Sequence, residues 1–328
     1  ENGKMDLTAA EAVADLIDAE TQAQKAQALG QMDGALSRLY ADWTERLKSA
    51  LAHMEADIEF PDEDMPDGVA PEVVGAVEAL RHELAAHLDD NRRGERLRDG
   101  VQIAIIGAPN AGKSSLVNAL ARRDVAIVSD MAGTTRDVIE VHLDLGGYPV
   151  VLADTAGLRP DQLGENAQDQ IESEGIKRAL ARAAAADLKI LLFDGSAAAA
   201  DVHTLSLVDE NALLVVNKCD DKHADFAVNG GIEISVKSGD GLDDLLGAVE
   251  RRVGDLVGMS ETPALTRKRH RAALVEAQES LTRGLSAALP ELMAEDLRLA
   301  VRGIGRVTGR VDVEDLLDVI FNDFCIGK

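Results

Sequence analysis

The feature that most constrains the fold of this chain is the pattern G-x-x-x-x-G-K-S, which runs from Gly107 to Ser114. An apolar run at 101–106 precedes the pattern, and an amphipathic helical pattern through Leu120 follows it. A strand, a glycine-rich loop and a helix in that order form the setting in which this motif binds phosphate. The loop N–H groups and the N-terminal end of the helix surround an anion with donors and partial positive charge. The stretch therefore predicts a nucleotide-phosphate site.

Each residue type in this loop has a predicted role. Gly107 and Gly112 let the main chain approach the phosphates without a Cβ atom in the way. Lys113 is expected to reach the β- and γ-phosphates, and the Ser114 hydroxyl is expected to ligate Mg²⁺. The alternative is an ordinary Gly/Ser turn, and motifs further along the chain decide between the two. The loop residues predicted to bind the nucleotide are Asn110, Ala111, Gly112, Lys113, Ser114 and Ser115.

The composition limits the compartment and the partners. The 328 residues have room for about two domains. No apolar run reaches the roughly 20 residues that span a bilayer, so no membrane partner is expected. Two cysteines indicate no disulfide framework and favour the reducing cytoplasm. With a net charge of −25 and few aromatic residues, the average field of the chain repels RNA, so another molecule should supply most RNA contacts. The basic runs at 92–98 and 267–271 are interpreted as solvated helix faces.

Helical patterns occupy both ends of the chain. Thr8–Glu11 fits a capping box at the start of a long helix. Pro71 suits the first residue of a later helix. Helical periodicity returns after Gly258, at 267–289, 290–302 and 313–324. The face of the helix after Pro71 that is predicted to be buried carries Val74, Val77, Leu80, Leu84 and Leu88.

Between these segments, strands alternate with helices, which predicts a doubly wound, mostly parallel sheet. Gly146-Gly147 is a hairpin signal and makes one edge of the sheet antiparallel. Helices are predicted near 166–186 and 240–257. The simplest assembly is an α/β domain inserted into an all-α helical bundle, with boundaries at 1–98, 99–258 and 259–328. The strands are predicted at 101–106, 138–145, 148–154, 188–193, 213–217 and 232–235.

Two further motifs complete a triphosphate site. Asp154-Thr-Ala-Gly157 ends the third strand, where Asp154 can hold a water on Mg²⁺ and Gly157 can direct its N–H at a γ-phosphate. Thr134-Thr135 lies in a loop where a hydroxyl reaches Mg²⁺ only while the γ-phosphate is present. Thr135 is the preferred candidate for that switch role, and Thr134 is the alternative.

The base is predicted to be guanine. The Asp220 carboxylate in Asn217-Lys218-Cys219-Asp220 can accept hydrogen bonds from the ring N–H and the amine of guanine, and adenine offers no such pair. The Lys218 stem can cover the base face. After the next strand, N–H groups of Ser235-Val236-Lys237 can meet the guanine carbonyl. The motifs stand in the correct order at strand ends, so the α/β domain is predicted to be a Ras-like GTP-binding (G) domain.

Many GTPases place a glutamine after D-x-x-G to orient the attacking water, but here Leu158 and Arg159 follow. Another group must then orient the water, and added positive charge is needed in the transition state. Arg159 and Arg136 are candidate arginine fingers. A monovalent cation held in part by the Asn110 side-chain oxygen is the second possibility.

The chain resembles the bacterial tRNA-modification GTPase family MnmE, also called TrmE. The resemblance covers essentially the whole chain, but the N-terminal folate-binding domain of the family is not in this sequence. It implies GTP hydrolysis activated by K⁺ and by G-domain dimerisation. It also implies an FAD-dependent partner protein, with which the family modifies the wobble uridine of tRNA using a folate carbon. The segments that carry the resemblance are GAPNAGKSS, IVSDMAGTTRD, DTAGLR, NKCD, the opening NGKMDLTAAEAVADLIDAET and the ending IFNDFCIGK.

The resemblance also assigns residues. Ser114 and Thr135 would ligate Mg²⁺, and Glu172 would orient the water, although spacing alone leaves Asp169 and Glu174 open. Lys113, Thr135 and Glu172 are the expected catalytic residues. The K⁺ ligands would be Asn110, Ser129, Met131 through its carbonyl, and Thr134. Folate, bound only with the missing domain, would meet Lys4 and Lys328, and Cys325 would be a functional thiol or a buried structural one.

Other functions predict different features. A ribosome-assembly GTPase switch that binds rRNA usually carries a basic appendage, whereas this chain shows acidic helices. A membrane-remodelling helical GTPase needs a basic amphipathic face, which the sequence lacks. A homodimeric, cytoplasmic GTPase that uses GTP, Mg²⁺ and K⁺ is therefore the favoured interpretation.

Overall fold

The computed structural model describes residues 5–59, 69–123, 125–127, 140–153, 185–258 and 263–309. These residues form two compact units. One takes its residues from Glu1–Ala19, Gln24–Arg98 and Met259–Lys328, and the other from Glu20–Ala23 and Asp99–Gly258. The first unit is helical and the second holds the sheet, so the predicted fold class is confirmed. No helix in the described ranges is both long and apolar enough to cross a membrane.

The described elements include predicted strands and helices in the predicted order, together with helices that the sequence analysis did not name. The helices are α1 Leu7–Ile17, α2 Gln22–Met32, α3 Ala35–Glu59, α4 Val69–Leu88, α5 Arg93–Asp99, α6 Lys113–Leu120, α7 Val202–Leu205, α8 Leu242–Val257, α9 Lys268–Leu285 and α10 Pro290–Thr308. The strands are β1 Val101–Gly107, β2 Glu140–Leu145, β3 Tyr148–Ala153, β4 Leu188–Asp194, β5 Ala212–Asn217 and β6 Ile232–Glu233. The helices predicted at 166–186 and 313–324 lie almost entirely outside the described residues.

The sheet has the predicted mixed topology. Its strand order is β2-β3-β1-β4-β5-β6, with β2 antiparallel to β3 and the other pairs parallel. Gly146 and Gly147 have φ of +61° and +89° in the β2–β3 turn, which suits the primed turns of short hairpins. In β4 the six residues before Asp194 are buried, as in a central parallel strand covered on both faces.

The first helix begins before the predicted capping box. The Asp6 carboxylate accepts a hydrogen bond from the Ala9 N–H at 2.9 Å and another from the Thr8 hydroxyl at 2.8 Å. Thr8 therefore lies within the first turn, and Asp6 is the N-cap residue. The prediction of a Thr8 cap was wrong because an acceptor two residues earlier already satisfies the free N–H groups. The helix is also shorter than predicted and ends at Ile17.

Helix α4 differs from the prediction at its first turn. It begins at Val69, so Pro71 is its third residue, still within the turn where a missing N–H breaks no helical hydrogen bond. Val73 is 5% exposed whereas Val74 is 36% exposed, so Val73 takes the place predicted for Val74 on the buried face. The predictions of Val77, Leu80 and Leu84 are confirmed. Leu88 is partly buried. The described α4 residues that line the core are Val73, Val77, Leu80 and Leu84.

Four helices build the core of the helical unit. Side chains from α3, α4, α9 and α10 form one apolar cluster, in which Leu36, Leu47 and Leu297 are fully buried. Their spacing of three or four residues along each helix gives each helix one apolar face. Helix α9 stops at Leu285 rather than at Leu289, since Leu289 is the N-cap residue of α10 and Pro290 is its first residue.

Arginines of both basic runs are paired within the helical unit. Asp15 accepts hydrogen bonds from Arg98 at 2.8 Å and from Arg267 at 2.6 Å. Glu11 accepts from Arg269 Nε and Nη2, both at 2.6 Å. Arg271 binds Asp90 at 2.5 Å and Glu95 at 2.6 Å. The interpretation of these arginines as solvated helix faces was wrong because carboxylates distant in sequence pack beside them.

The single tryptophan of the chain lies in an aromatic cluster of this unit. The Trp43 ring centroid is 5.6 Å from that of Tyr40 and 5.4 Å from that of His87. His87 Nε2 lies 3.0 Å from the Tyr40 hydroxyl, so a neutral imidazole can accept a hydrogen bond from the phenol. Burial, helped by the nearby Arg271 and opposed by Asp90, lowers the pKa of His87 to about 4.

The segments before and after the sheet unit meet at Gly94. A Cβ atom there would lie 2.3 Å from the Leu265 carbonyl oxygen and 2.8 Å from Ala264 Cβ. Helix α2 makes a hydrogen bond to each of the two segments: Gln27 donates to the Gly94 carbonyl at 3.1 Å, and Gln31 donates to Thr266 at 2.7 Å. The close approach therefore requires glycine.

We expect Gly94→Ala to destabilise the helical unit by roughly 1–3 kcal/mol, because the added methyl group must displace main-chain atoms. The control is Gly75→Ala in α4, where nothing lies within 4 Å of the added Cβ. That change should be neutral or stabilise by about 0.5–1 kcal/mol. Denaturant unfolding followed by Trp43 fluorescence measures both, and equal midpoints for the two variants would contradict the close approach.

The stability of the helical unit should fall as the pH is lowered from about 6.5 to about 4. Over this window the unfolded chain binds a proton that folded His87 does not, so protonation favours unfolding, by at most about 3 kcal/mol for this histidine. His87→Gln should flatten the pH dependence of the free energy of unfolding. His53→Gln, at an exposed position on α3, should keep the native slope. A slope unchanged by His87→Gln would refute this assignment.

Candidate nucleotide-binding site

The candidate site lies where the parallel strands of the sheet unit end. The register places Gly107 of β1 beside Leu192 of β4, and Asp194 of β4 beside Asn217 of β5. Loops that follow adjacent parallel strands meet at one edge of a sheet, which is where α/β folds bind ligands. The glycine loop, the Asn217–Asp220 motif and the Ser235–Lys237 loop are all attached to this edge.

At two positions of the glycine loop there is no room for a side chain. A Cβ atom on Gly107 would lie 2.2 Å from the Leu192 carbonyl oxygen. Gly112 has φ of +100°, and its Cβ would lie 2.3 Å from Asn217 Nδ2. Asn110 has φ of +65° and an exposed side chain, in the left-handed region that asparagine tolerates better than most residues. The loop therefore turns sharply and presents main chain rather than side chains.

Helix α6 begins directly after this loop, at Lys113. Its first N–H groups have no partner within the helix and carry the positive end of the helix dipole. Lys113 Nζ donates to the carbonyl oxygens of Gly107 and Ala108, both at 2.9 Å. Ser114 and Ser115 are exposed in the first turn. The arrangement can hold an anion, with an ammonium group and a hydroxyl group beside it.

Asn217 joins two of the loops. Its side chain is 3% exposed. Its Nδ2 donates to the Ala111 carbonyl at 2.8 Å, and its Oδ1 accepts from the Val236 N–H at 3.1 Å. One buried amide thus fixes the distance between the glycine loop and the Ser235–Lys237 loop. Sequence reasoning named Asn217 as a nucleotide contact and missed this linking role, because the pairing spans more than a hundred residues.

Asp220 is held as an exposed, ionised acceptor. The Ser235 hydroxyl donates to Asp220 Oδ1 at 2.7 Å, and Lys237 Nζ lies 3.4 Å from Oδ2. The hydrogen bond from Ser235, reinforced by Lys237, holds the pKa of Asp220 below its ordinary value. The two motifs that sequence analysis assigned to guanine therefore meet in space, and a carboxylate oriented in this way can accept from a ligand N–H.

The loop after β6 is stabilised by its own hydrogen bonds. The Ser235 N–H donates to the Asp240 carbonyl at 3.0 Å, and the Gly239 N–H donates to the Ser235 carbonyl at 2.8 Å. Gly241 has φ of +72°, and a Cβ atom there would lie 2.2 Å from the Glu233 carbonyl oxygen. Together these contacts keep the Ser235–Lys237 main chain beside Asp220.

Cys219, the third residue of the Asn217–Asp220 motif, packs against the protein. Its Sγ donates to the Val216 carbonyl at 3.2 Å, and burial raises the pKa of the thiol. This geometry keeps the thiol protonated and gives Cys219 a packing role.

Several predicted site residues lie outside the described residues. Within the described ranges, no group of three or more His, Cys, Asp or Glu side chains is arranged to hold a metal ion. The predicted residues of which the structure gives no description are Lys4, Ser129, Met131, Thr134, Thr135, Arg136, Asp154, Gly157, Arg159, Glu172, Cys325 and Lys328.

Comparison with known proteins places this geometry in a family context. The family described as the MnmE helical domain matches residues 7–325. A protein named tRNA modification GTPase MnmE from Rhodospirillum rubrum is 57% identical over 332 aligned positions, covering 100% of this chain and 72% of the relative. Proteins of the same name from Parvibaculum lavamentivorans and Rickettsia rickettsii are 56% and 46% identical, each alignment covering 100% of this chain and 74% of the relative.

Proposed function

The chain belongs to the MnmE family of GTPases, and we propose that it binds and hydrolyses GTP at the carboxyl edge of its sheet to support tRNA modification. The observation that carries this proposal is the buried Asn217 amide. It joins a phosphate-type glycine loop to the loop that supports Asp220. Because the site holds a phosphate-binding loop and a base-binding loop at a fixed distance from each other, it suits a ligand that contains both a phosphate group and a base.

The proposed roles follow from the contacts. N–H groups of the glycine loop and of the first turn of α6 bind the phosphates. Lys113 exchanges its carbonyl partners Gly107 and Ala108 for phosphate oxygens, since both arrangements satisfy its ammonium group. Asp220 accepts from the guanine ring N–H and amine, and Lys218 covers the base face. The residues proposed to bind GTP in addition are Asn110, Ala111, Gly112, Ser114, Ser115, Ser129, Thr134, Thr135, Asp154, Gly157, Asn217, Ser235, Val236 and Lys237.

Within the described part of the site, one residue is proposed to ligate a magnesium ion. The exposed Ser114 hydroxyl lies in the first turn of α6, directly after the phosphate loop, and Thr135 is proposed as the second protein ligand. Magnesium there would neutralise charge on the phosphate oxygens. Hydrolysis also needs an oriented water, a role proposed for Glu172, and Lys113 and Thr135 are proposed to act with it.

A potassium ion is proposed as the added positive charge. The exposed Asn110 side chain, on a left-handed residue of the glycine loop, offers a carbonyl-type oxygen of the kind that binds such ions. Ser129, Met131 and Thr134 would provide the remaining oxygens. The cation would contribute charge stabilisation in the transition state of the kind that an arginine finger supplies elsewhere.

Transfer RNA is proposed to be held largely by a partner protein. The net charge of −25 opposes RNA binding, and arginines of both basic runs are engaged by Asp15, Glu11 and Asp90. The proposal includes an FAD-dependent partner, modification of the wobble uridine, cytoplasmic location, and dimerisation of the G domain during hydrolysis. Folate binding, with Lys4, Lys328 and Cys325 near it, is proposed only for a chain joined to the folate-binding domain.

The base assignment predicts that Asp220→Asn will weaken GTP binding by about a hundredfold or more and will favour xanthosine triphosphate. The reason is that the carboxamide replaces one of the two acceptor oxygens with an NH₂ group, which faces a guanine donor but can donate to the extra carbonyl of xanthine. Competition of GTP and xanthosine triphosphate against a fluorescent guanine nucleotide measures the change. Asp221→Asn, at the exposed neighbouring carboxylate, is the control and should bind as the unaltered chain does. Unchanged guanine preference in Asp220→Asn would refute the assignment.

The cation proposal predicts GTP turnover about tenfold or more faster in KCl than in NaCl of equal ionic strength, because Na⁺ is a smaller ion and oxygens spaced for K⁺ coordinate it poorly. Asn110→Ala should reduce the difference between the two salts. Asn118→Ala, at an exposed position on α6, should leave it unchanged. Equal turnover in both salts for the unaltered chain would contradict cation activation.

A further inference from the structure

Asp194 is a charged residue at the candidate site to which the sequence motifs assign no role. It is the last residue of β4 and lies beside Asn217 in the register of the parallel sheet. Its side chain is 21% exposed. A carboxylate at the ligand-binding edge of a sheet adds to the repulsion of a triphosphate, so its presence there needs a compensating contact.

That contact is Lys218 of the Asn217–Asp220 motif. Lys218 Nζ donates to Asp194 Oδ2 at 2.5 Å. The second oxygen, Oδ1, accepts from the Ser196 N–H at 3.0 Å and from the Ser196 hydroxyl at 2.6 Å. Both carboxylate oxygens therefore have donors. Burial raises the pKa of Asp194, but the hydrogen bonds from Lys218 and Ser196 outweigh it and hold the pKa below the ordinary value, so the carboxylate stays ionised.

The main chain next to Asp194 is hydrogen-bonded to the Asn217–Asp220 motif. The Gly195 N–H donates to the Asn217 carbonyl at 2.8 Å, and the His223 N–H donates to the Gly195 carbonyl at 2.8 Å. A Cβ atom on Gly195 would lie 2.8 Å from the Asn217 carbonyl oxygen. Lys218 itself has φ of +61°, in the left-handed region that few side chains adopt. The Asp194 carboxylate and the left-handed main chain of Lys218 therefore act together on the position of the Lys218 ammonium group.

We propose that Asp194 is a positioning residue for guanine recognition, which holds the Lys218 ammonium so that the Lys218 stem lies along the base that Asp220 reads. The inference rests on the proposed function of the site. It predicts an effect on nucleotide binding that acts through Lys218. A surface ion pair of structural value alone contributes little to folding and predicts no such coupling.

The test is Asp194→Asn in the full chain, with dissociation constants for GDP and GTP measured by displacement of a fluorescent guanine nucleotide. The carboxamide keeps an acceptor for Ser196 but loses the charge that holds Lys218. We expect affinity to fall about tenfold, as for loss of a charge-assisted hydrogen bond. The KM for GTP should rise while kcat at saturating GTP stays close to that of the unaltered chain. Glu233→Gln is the matched control, since it breaks the neighbouring Lys222–Glu233 pair of the same sheet edge.

A double-mutant cycle separates positioning from general stability. In a Lys218→Met background, Asp194→Asn should change affinity less than twofold, because the residue through which it acts is gone. An equal loss in both backgrounds, or no loss from Asp194→Asn alone, would overturn the inference.

Should Asp194→Asn fail to fold, Ser196→Ala keeps the charge and removes one hydrogen bond to the carboxylate, and it should weaken binding in the same direction. Absence of guanine-nucleotide binding by the unaltered chain would overturn the proposed function and this inference together, whereas tight binding that Asp194→Asn leaves unchanged would overturn this inference alone.

Discussion

The candidate site depends on one buried amide. Asn217 donates to the Ala111 carbonyl through a buried hydrogen bond and accepts from the Val236 N–H through a partly buried one. A buried polar group without partners costs about 1–3 kcal/mol, so the two loops are favoured only at the separation where both hydrogen bonds form. Everything proposed for the nucleotide follows from that separation. The phosphate elements stand on one side of the amide and the base elements stand on the other.

The carboxylates of the two units have different partners. In the helical unit, carboxylates and arginines from distant parts of the chain pair with one another. Asp15 and Glu11 hold arginines of the basic run at 267–271, and Asp15 also holds Arg98 of the first run. In the sheet unit, Asp220 and Asp194 are each oriented by a serine and a lysine. The first arrangement stabilises helices and leaves less basic surface for RNA. The second keeps ionised acceptors at the edge of the sheet where parallel α/β folds bind ligands.

Much of the architecture was predictable because its causes are local. The strand, glycine loop and helix around Gly107 follow from apolar runs and residue types within a short window, and the Gly146-Gly147 hairpin follows from a turn of two glycines. The antiparallel edge and the strand ends that carry the motifs were predicted on the same grounds. The predictions failed where two residues close together in the sequence could each have taken the same role. Asp6 displaced Thr8 as the cap, and Val73 rather than Val74 faces the core, because a shift of one residue on a helix is decided by the packed neighbours.

The order of the motifs along the chain was enough to indicate a guanine-nucleotide site, because each motif takes its chemistry from a few adjacent residues. What the sequence could not determine is which residues pair across the fold. The Asn217 link to Ala111, the Ser235 contact to Asp220, the pairing of Arg271 with Asp90, and the close approach at Gly94 all join segments that only folding brings together. Hydrogen bonds and close contacts act over about 3 Å, so no pattern in sequence spacing records them, and the tertiary structure alone decides them.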